Sequence, residues 1–164
     1  SYDLSGMMLE KGRKKLGYIG AVFQDKAVGE QRYKGFRDAV CDRGAEELAE
    51  NYVIAAFTVS SGYEKAGELL EKCKDLDGIV CATDMMAAGA VKYLRERGVK
   101  VPEQIMVAGQ GDSDLANVMD PPLPTVHYSY EKSGEMAAQM LMEILHRGGT
   151  DLMEIKLGYY LTER

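Results

Sequence analysis

The residues best equipped for chemistry fall at the ends of short apolar runs. Phe23, Asp25 and Arg32 follow the first run, Phe57 the second, Thr83 and Asp84 the third. Gln110, Gly111 and Asp112 follow the fourth, and Tyr128 and Tyr130 the fifth. Aromatic faces, carboxylates, hydroxyls and one Arg suit a polyhydroxylated ligand, whose rings stack on aromatics while its hydroxyls bond to fixed polar groups. The planar fork of Arg32 also suits two oxygens of a carboxylate, diol or phosphate. Each residue has a plainer use as well. Thr83 and Asp84 are types favoured at a helix start, Arg32 fits a solvated helix face, and Phe57 fits a core.

Catalysis finds little support. No Ser sits in a Gly-x-Ser-x-Gly elbow, and no P-loop pattern is present. Gly109-Gln110-Gly111 is half of a dinucleotide fingerprint without its third Gly. Asp84 and Asp112 would work as a carboxylate pair only if the fold brought them together. His127 and His146, the two histidines, have no metal-ligand spacing, and Cys41, Cys73 and Cys81 form no CxxC pair. The expectation is a binding module, not an enzyme, with no metal and no cofactor.

The elements that must position these residues alternate. A helix over Asp3–Lys11 ends at Gly12, and Leu16–Val22 reads as a buried strand. A helical pattern over Gly29–Arg43 carries Tyr33, Phe36 and Val40, and stops at Gly44. Tyr52–Phe57 is a second strand, followed by a helix opening at Ser60 with Ala66, Leu69, Leu70 and Cys73 on its apolar face. Asp77–Ala82, the helix Asp84–Arg97 closed by Gly98, and Ile105–Ala108 continue the alternation. Then come a short helix over Asp112–Met119, a strand at Thr125–Tyr128 and a helix over Glu131–His146 ended by Gly148-Gly149. Ile155–Leu161 alternates weakly, as an edge strand would. Strands alternating with helices predict a parallel sheet flanked by helices on both faces, an α/β three-layer sandwich. The long helix carries Met136, Met140 and Leu141 at helical spacing, a pattern of core packing or of a subunit interface.

A chain of 164 residues is one domain or at most two small lobes. With 46% hydrophobic and 28% charged residues it is globular and not disordered. Its net charge of −6 excludes a nucleic-acid footprint on this surface. No apolar run is long enough to span a membrane. Three cysteines, an odd number, fit buried free thiols in a reducing cytoplasm. Ser1 to Lys15 lacks the apolar core of a signal peptide. The chain opens inside a helical pattern, so a fragment of a longer protein is expected.

The motifs together resemble the lactose- and galactose-repressor family of bacterial transcriptional regulators. Lys15-Leu16-Gly17-Tyr18-Ile19-Gly20, then Asp25-x-x-x-Gly29-x-x-Arg32-x-x-Gly35-Phe36, is similar to the first strand and helix of that family's C-terminal lobe. Phe57-x-x-x-x-Gly62-Tyr63 and Ala82-Thr83-Asp84-Met85-Met86-Ala87-x-Gly89-Ala90 resemble the next two blocks. Val101-Pro102, Ile105-x-Val107-x-Gly109 and Pro121-Pro122-Leu123-x-Thr125-Val126 complete the order. The Asp25/Gly29/Arg32 loop and Lys92-Tyr93-Leu94 look most like trehalose- and sucrose-operon repressors.

The resemblance implies one lobe of a periplasmic-binding-protein-like fold, preceded by a lead-in helix over residues 1–12. The N-terminal lobe and the helix-turn-helix headpiece are expected to lie outside this chain. It further implies a cytoplasmic homodimer that meets operator DNA only through that headpiece, with no membrane contact. The effector would be a small sugar, a disaccharide or a sugar phosphate. A lobe of a periplasmic sugar-transport receptor is the alternative, since it shares the fold. By the resemblance, Arg32 grips sugar hydroxyls or a phosphate, Phe57 matches a position whose ring stacks on the effector in purine-type members, and Thr83, Asp84 and Tyr130 line the cleft. Met85, Ala88 and Met119 fall on the dimer interface. One departure stands out: where the family carries Gly-Tyr/Phe-Asp-Asp/Asn, this chain has Gly109-Gln110-Gly111-Asp112. The first acidic residue is missing, with Gln110 and Asp112 as the candidates to replace it.

Overall fold

Parallel strands bury both of their faces and so need helices on either side. The computed structural model describes residues 1–45, 50–147 and 154–164. Its parallel strands are β1 (Leu16–Gly20), β2 (Tyr52–Ile54), β3 (Gly78–Cys81) and β4 (Met106–Ala108). They lie in the order β2-β1-β3-β4, with Ile19 paired to Val53 on one side and to Cys81 on the other. The helices are α1 (Tyr2–Glu10), α2 (Arg32–Asp42), α3 (Val59–Lys72), α4 (Asp84–Glu96), α5 (Asp114–Val118) and α6 (Tyr130–Arg147).

The strand order decides where the helices go. Right-handed crossovers put α2 on one face of the sheet and α3 and α4 on the other. That leaves part of the first face bare, and α1 packs there beside α2 and against β3. The result is the expected three-layer α/β sandwich. Tyr18, Phe36, Leu69, Ile79, Met86 and Leu94 are completely buried between the layers. The wholly apolar side chains among these each contribute roughly 1.5–3 kcal/mol of transfer free energy.

β1 and β2 end earlier than the sequence predicts, at Gly20 and Ile54. Ala21 and Ala55, next after the strand ends, stay buried, but Val22, Phe23 and Phe57 turn outward and are between 43% and 50% exposed. A helical start at Gly29 is replaced by a π-helical turn over Lys26–Gln31 that runs directly into α2. Cys81 is buried as expected of a free thiol, whereas Cys41 is exposed.

Two strands stand outside the parallel sheet. β5 (Thr125–Tyr128) and β6 (Tyr159–Thr162) pair antiparallel, with Val126 opposite Leu161. The last strand therefore begins at Tyr159, later than the sequence pattern indicates. β5 is tied to the segment leaving β4, because the Gly109 and Gly111 N–H groups donate to the Pro124 and Val126 carbonyls at 2.9 and 3.0 Å.

α6 departs from the core-packing expectation. None of its residues from Tyr130 to His146 is buried, and Leu141, Met142 and Leu145 are more than half exposed. The helix leaves the sandwich after β5, so its Met and Leu residues have no sheet face of this lobe to cover. Gly148 and Gly149, expected to end it, lie outside the described residues.

Candidate functional site

The chain leaves β1 and β3 in opposite directions, so the crevice between their carboxyl ends is where an open α/β sheet places a ligand. Arg32 spans this crevice. Asp25 caps the π-helical turn, its Oδ1 accepting the Val28 N–H at 2.9 Å, and the turn delivers Arg32 to the first position of α2. Arg32 Nη1 donates to the Ala82 carbonyl just beyond β3 at 2.5 Å, and the guanidinium lies 5.2 Å from the Tyr128 ring centroid. Tyr128 in turn meets Tyr130 edge to face, with centroids 5.9 Å apart.

A pocket of about 560 Å³ opens at the start of α4. Thr83, Asp84 and Met85 form one side, the turn from Gln110 to Asp114 forms another, and Tyr130 closes it. Thr83 is the N-cap of α4, its Oγ1 accepting the Met86 N–H at 3.3 Å. The plain capping use and the pocket-lining position therefore coincide in one residue.

Asp84 borders the pocket yet is only 2% exposed. Its Oδ1 accepts from Thr125 Oγ1 at 2.6 Å, and its Oδ2 accepts from the Ser113 N–H at 2.8 Å and from Ser113 Oγ at 2.9 Å. The carboxylate thus clamps the glycine-rich turn and β5 to the N-terminus of α4. Gly109 permits the close approach, since a Cβ there would lie 2.4 Å from Asp84 Oδ1.

Gln110 and Asp112 are equally engaged. Gln110 is 2% exposed; its Nε2 donates to the Cys81 carbonyl at 3.1 Å, and its Oε1 accepts from Ser1 Oγ and from the Tyr128 hydroxyl. Asp112 is bound by Arg164 Nη2 at 2.5 Å and by His127 Nδ1 at 2.9 Å. Burial alone would raise the Asp112 carboxyl, but the bonds from Arg164 and His127 outweigh it and hold the group below the usual carboxylate range. Burial raises the Tyr128 and Tyr130 hydroxyls, which stay neutral hydrogen-bonding groups. Neither Gln110 nor Asp112 offers a free group where the family's acidic residue would stand.

Five of the side chains singled out in the sequence meet at the pocket, those of Thr83, Asp84, Gln110, Asp112 and Tyr130, together with Gly111. Arg32 sits in the adjoining crevice, while Asp25 and Phe57 lie outside the lining. Met85, assigned by resemblance to a dimer contact, lines the pocket as well. Ala88 is 6% exposed within its own chain and has little surface to give a partner. Met119 is half-buried beside Val118, which is 77% exposed. Sequence reasoning missed Ser113, Asp114, Thr125, His127 and Arg164. Ser113, which precedes a short helix, carried the one local signal, that of a cap. Asp84 and Asp112 line the same pocket, but each is bonded to other groups and they form no mutual pair. Among the described residues no cluster of His, Cys, Asp and Glu is placed to hold a metal, and no helix is long and apolar enough to cross a membrane.

Residues 6–164 match the periplasmic binding protein-like domain, and the chain belongs to that family, in the form carried by lactose-repressor-type transcriptional regulators. It is 30% identical over its full length to the HTH-type transcriptional regulator RegA of Clostridium saccharobutylicum, covering 49% of that protein. Over 98% of its length it is 34% identical to the HTH-type transcriptional regulator IdnR of Escherichia coli K12, covering 48% of it. Among solved structures, the transcriptional regulator CelR in complex with cellobiose superposes with a TM-score of 0.92 at 29% identity, over 98% of this chain and 49% of that one. The chain spans about half the length of the relatives it matches.

Proposed function

We propose that this chain is the C-terminal, effector-binding lobe of a cytoplasmic bacterial transcriptional repressor that controls sugar-utilisation genes. The observation that carries the reading is the pocket at the start of α4, bounded by Thr83, Asp84 and Tyr130, with Arg32 in the adjoining crevice. That set offers a sugar an aromatic ring, hydroxyls and a guanidinium, with Asp84 bracing the pocket wall, and relatives that are HTH-type regulators favour a repressor over a transport receptor. A disaccharide or a sugar phosphate is the effector class. The parent protein is a homodimer whose contact includes the exposed Val118 and the half-buried Met119 beside α4. Arg95 fixes that segment to α4 by donating to the Asp120 carbonyl at 2.6 Å.

The mechanism is a population shift. A sugar that binds one arrangement of two lobes better than another changes operator affinity by no more than that difference. The test uses the full-length protein and DNA from its own promoter region, followed by fluorescence anisotropy with trehalose, sucrose, maltose, cellobiose and their 6-phosphates. Release or tightening by one sugar, weakened in Arg32→Ala, is the expected result. Tight sugar binding without DNA binding would overturn the repressor reading in favour of a transport receptor.

A further inference from the structure

Three carboxylates border the pocket, and two of them are already engaged. Asp84 is held by Thr125 and Ser113, and Asp112 by Arg164 and His127. Asp114 is different. It is exposed, lines the pocket, and has no hydrogen-bond or ion-pair partner among the described residues. Gly111, three residues before it, contributes no side chain and holds φ at +138°, so the wall is open where an acidic residue would otherwise project. Tyr130 stands near that gap, its hydroxyl 3.7 Å from where a Cβ on Gly111 would be.

We infer that Asp114 is the ligand-facing carboxylate of this pocket and determines its specificity, supplying from the start of α5 what position 111 lacks. This rests on the sugar-binding reading given above. A free carboxylate beside an aromatic ring accepts hydrogen bonds from sugar hydroxyls while the ring stacks on the sugar face. The same carboxylate repels an anion. The part of the sugar that lies against α5 is therefore unphosphorylated, and any anionic group on the ligand is turned toward Arg32.

The experiment is calorimetric titration of the full-length protein with the four disaccharides and their 6-phosphates, for the wild type, Asp114→Asn and Asp114→Glu. Losing a charge-assisted hydrogen bond is expected to weaken the best ligand roughly ten- to hundredfold in Asp114→Asn, with partial recovery in Asp114→Glu and an unchanged unfolding midpoint. Affinity equal to wild type in Asp114→Asn, with or without a lowered midpoint, would make Asp114 a helix-start residue only and overturn the inference while leaving the sugar reading intact. If no sugar binds the wild type, the sugar reading itself fails and the inference with it.

Discussion

Thr125 Oγ1 donates a 2.6 Å hydrogen bond to Asp84 Oδ1, joining β5 to the start of α4 across 41 positions of chain. Thr125 is completely buried and Asp84 nearly so, so neither has water to fall back on. A buried acceptor left without its donor costs its desolvation. Thr125→Val, similar in shape but without the hydroxyl, is expected to destabilise the lobe by roughly 1–3 kcal/mol, and Thr125→Ser to recover much of that. Urea unfolding of the three proteins measures it; equal midpoints for Val and wild type would show that Ser113 alone satisfies the carboxylate.

That bond also marks the boundary of what a reader of the sequence sees. The strands were legible because Leu16–Gly20 and Gly78–Cys81 are buried at every position and so read as unbroken apolar runs. Helix ends were legible at Gly12, Gly44 and Gly98, which sit just past α1, α2 and α4 with positive φ. Thr83 and Tyr130 were found as pocket residues because they stand at strand ends. What engages Asp84, Gln110 and Asp112 was hidden, since their partners Thr125, Tyr128 and Arg164 are distant in sequence and nothing local encodes the pairing. The exposed apolar face of α6 was hidden for a related reason: helical periodicity reports that a face is apolar, not whether this lobe has anything to cover it.

Asp112 makes stability depend on pH. Its folded-state carboxyl ionises below its ordinary value because Arg164 and His127 bond to the charged form against the opposing effect of burial. A depressed carboxyl contributes its stabilisation fully above the unfolded value of about 3.9 and loses it as acid protonates the folded state. The difference in unfolding midpoint between wild type and Asp112→Asn should therefore persist from pH 7 to about pH 4 and narrow below it. Denaturant titrations across that range decide it, and a difference independent of pH would remove the charge from the explanation.

Gln110 cannot be exchanged for an acid. Its Nε2 points at the Cys81 carbonyl, and a carboxylate in its place would set one acceptor against another in a site that is 2% exposed. Gln110→Glu is expected to cost about 3 kcal/mol or more near neutral pH, and less in acid, where a protonated Glu again donates. Thermal unfolding at pH 4 and pH 7 tests this; a variant as stable as wild type at pH 7 would show that the sheet edge admits water.

Gly111→Asp, which writes the family's usual acidic residue back into the chain, is expected to fail as a restoration. The backbone at this position has φ +138°, a conformation that costs an L-residue on the order of 1–3 kcal/mol. A Cβ there would approach Asp84 Oδ2 to 3.2 Å, so the new carboxylate would emerge beside a buried one of like charge. The turn cannot yield without cost, because the Gly111 N–H is bonded to the Val126 carbonyl and the Ser113 N–H to Asp84. Gly111→Ala separates the two effects: it carries the backbone strain without the charge. Both variants should unfold earlier than wild type in urea, the Asp variant earliest, and the gap between them should shrink with added salt or acid. If Gly111→Asp is instead as stable as wild type and binds sugar more tightly, the turn is free to refold around an acidic side chain, and the backbone seen at Gly111 is a consequence of the substitution and no constraint on it.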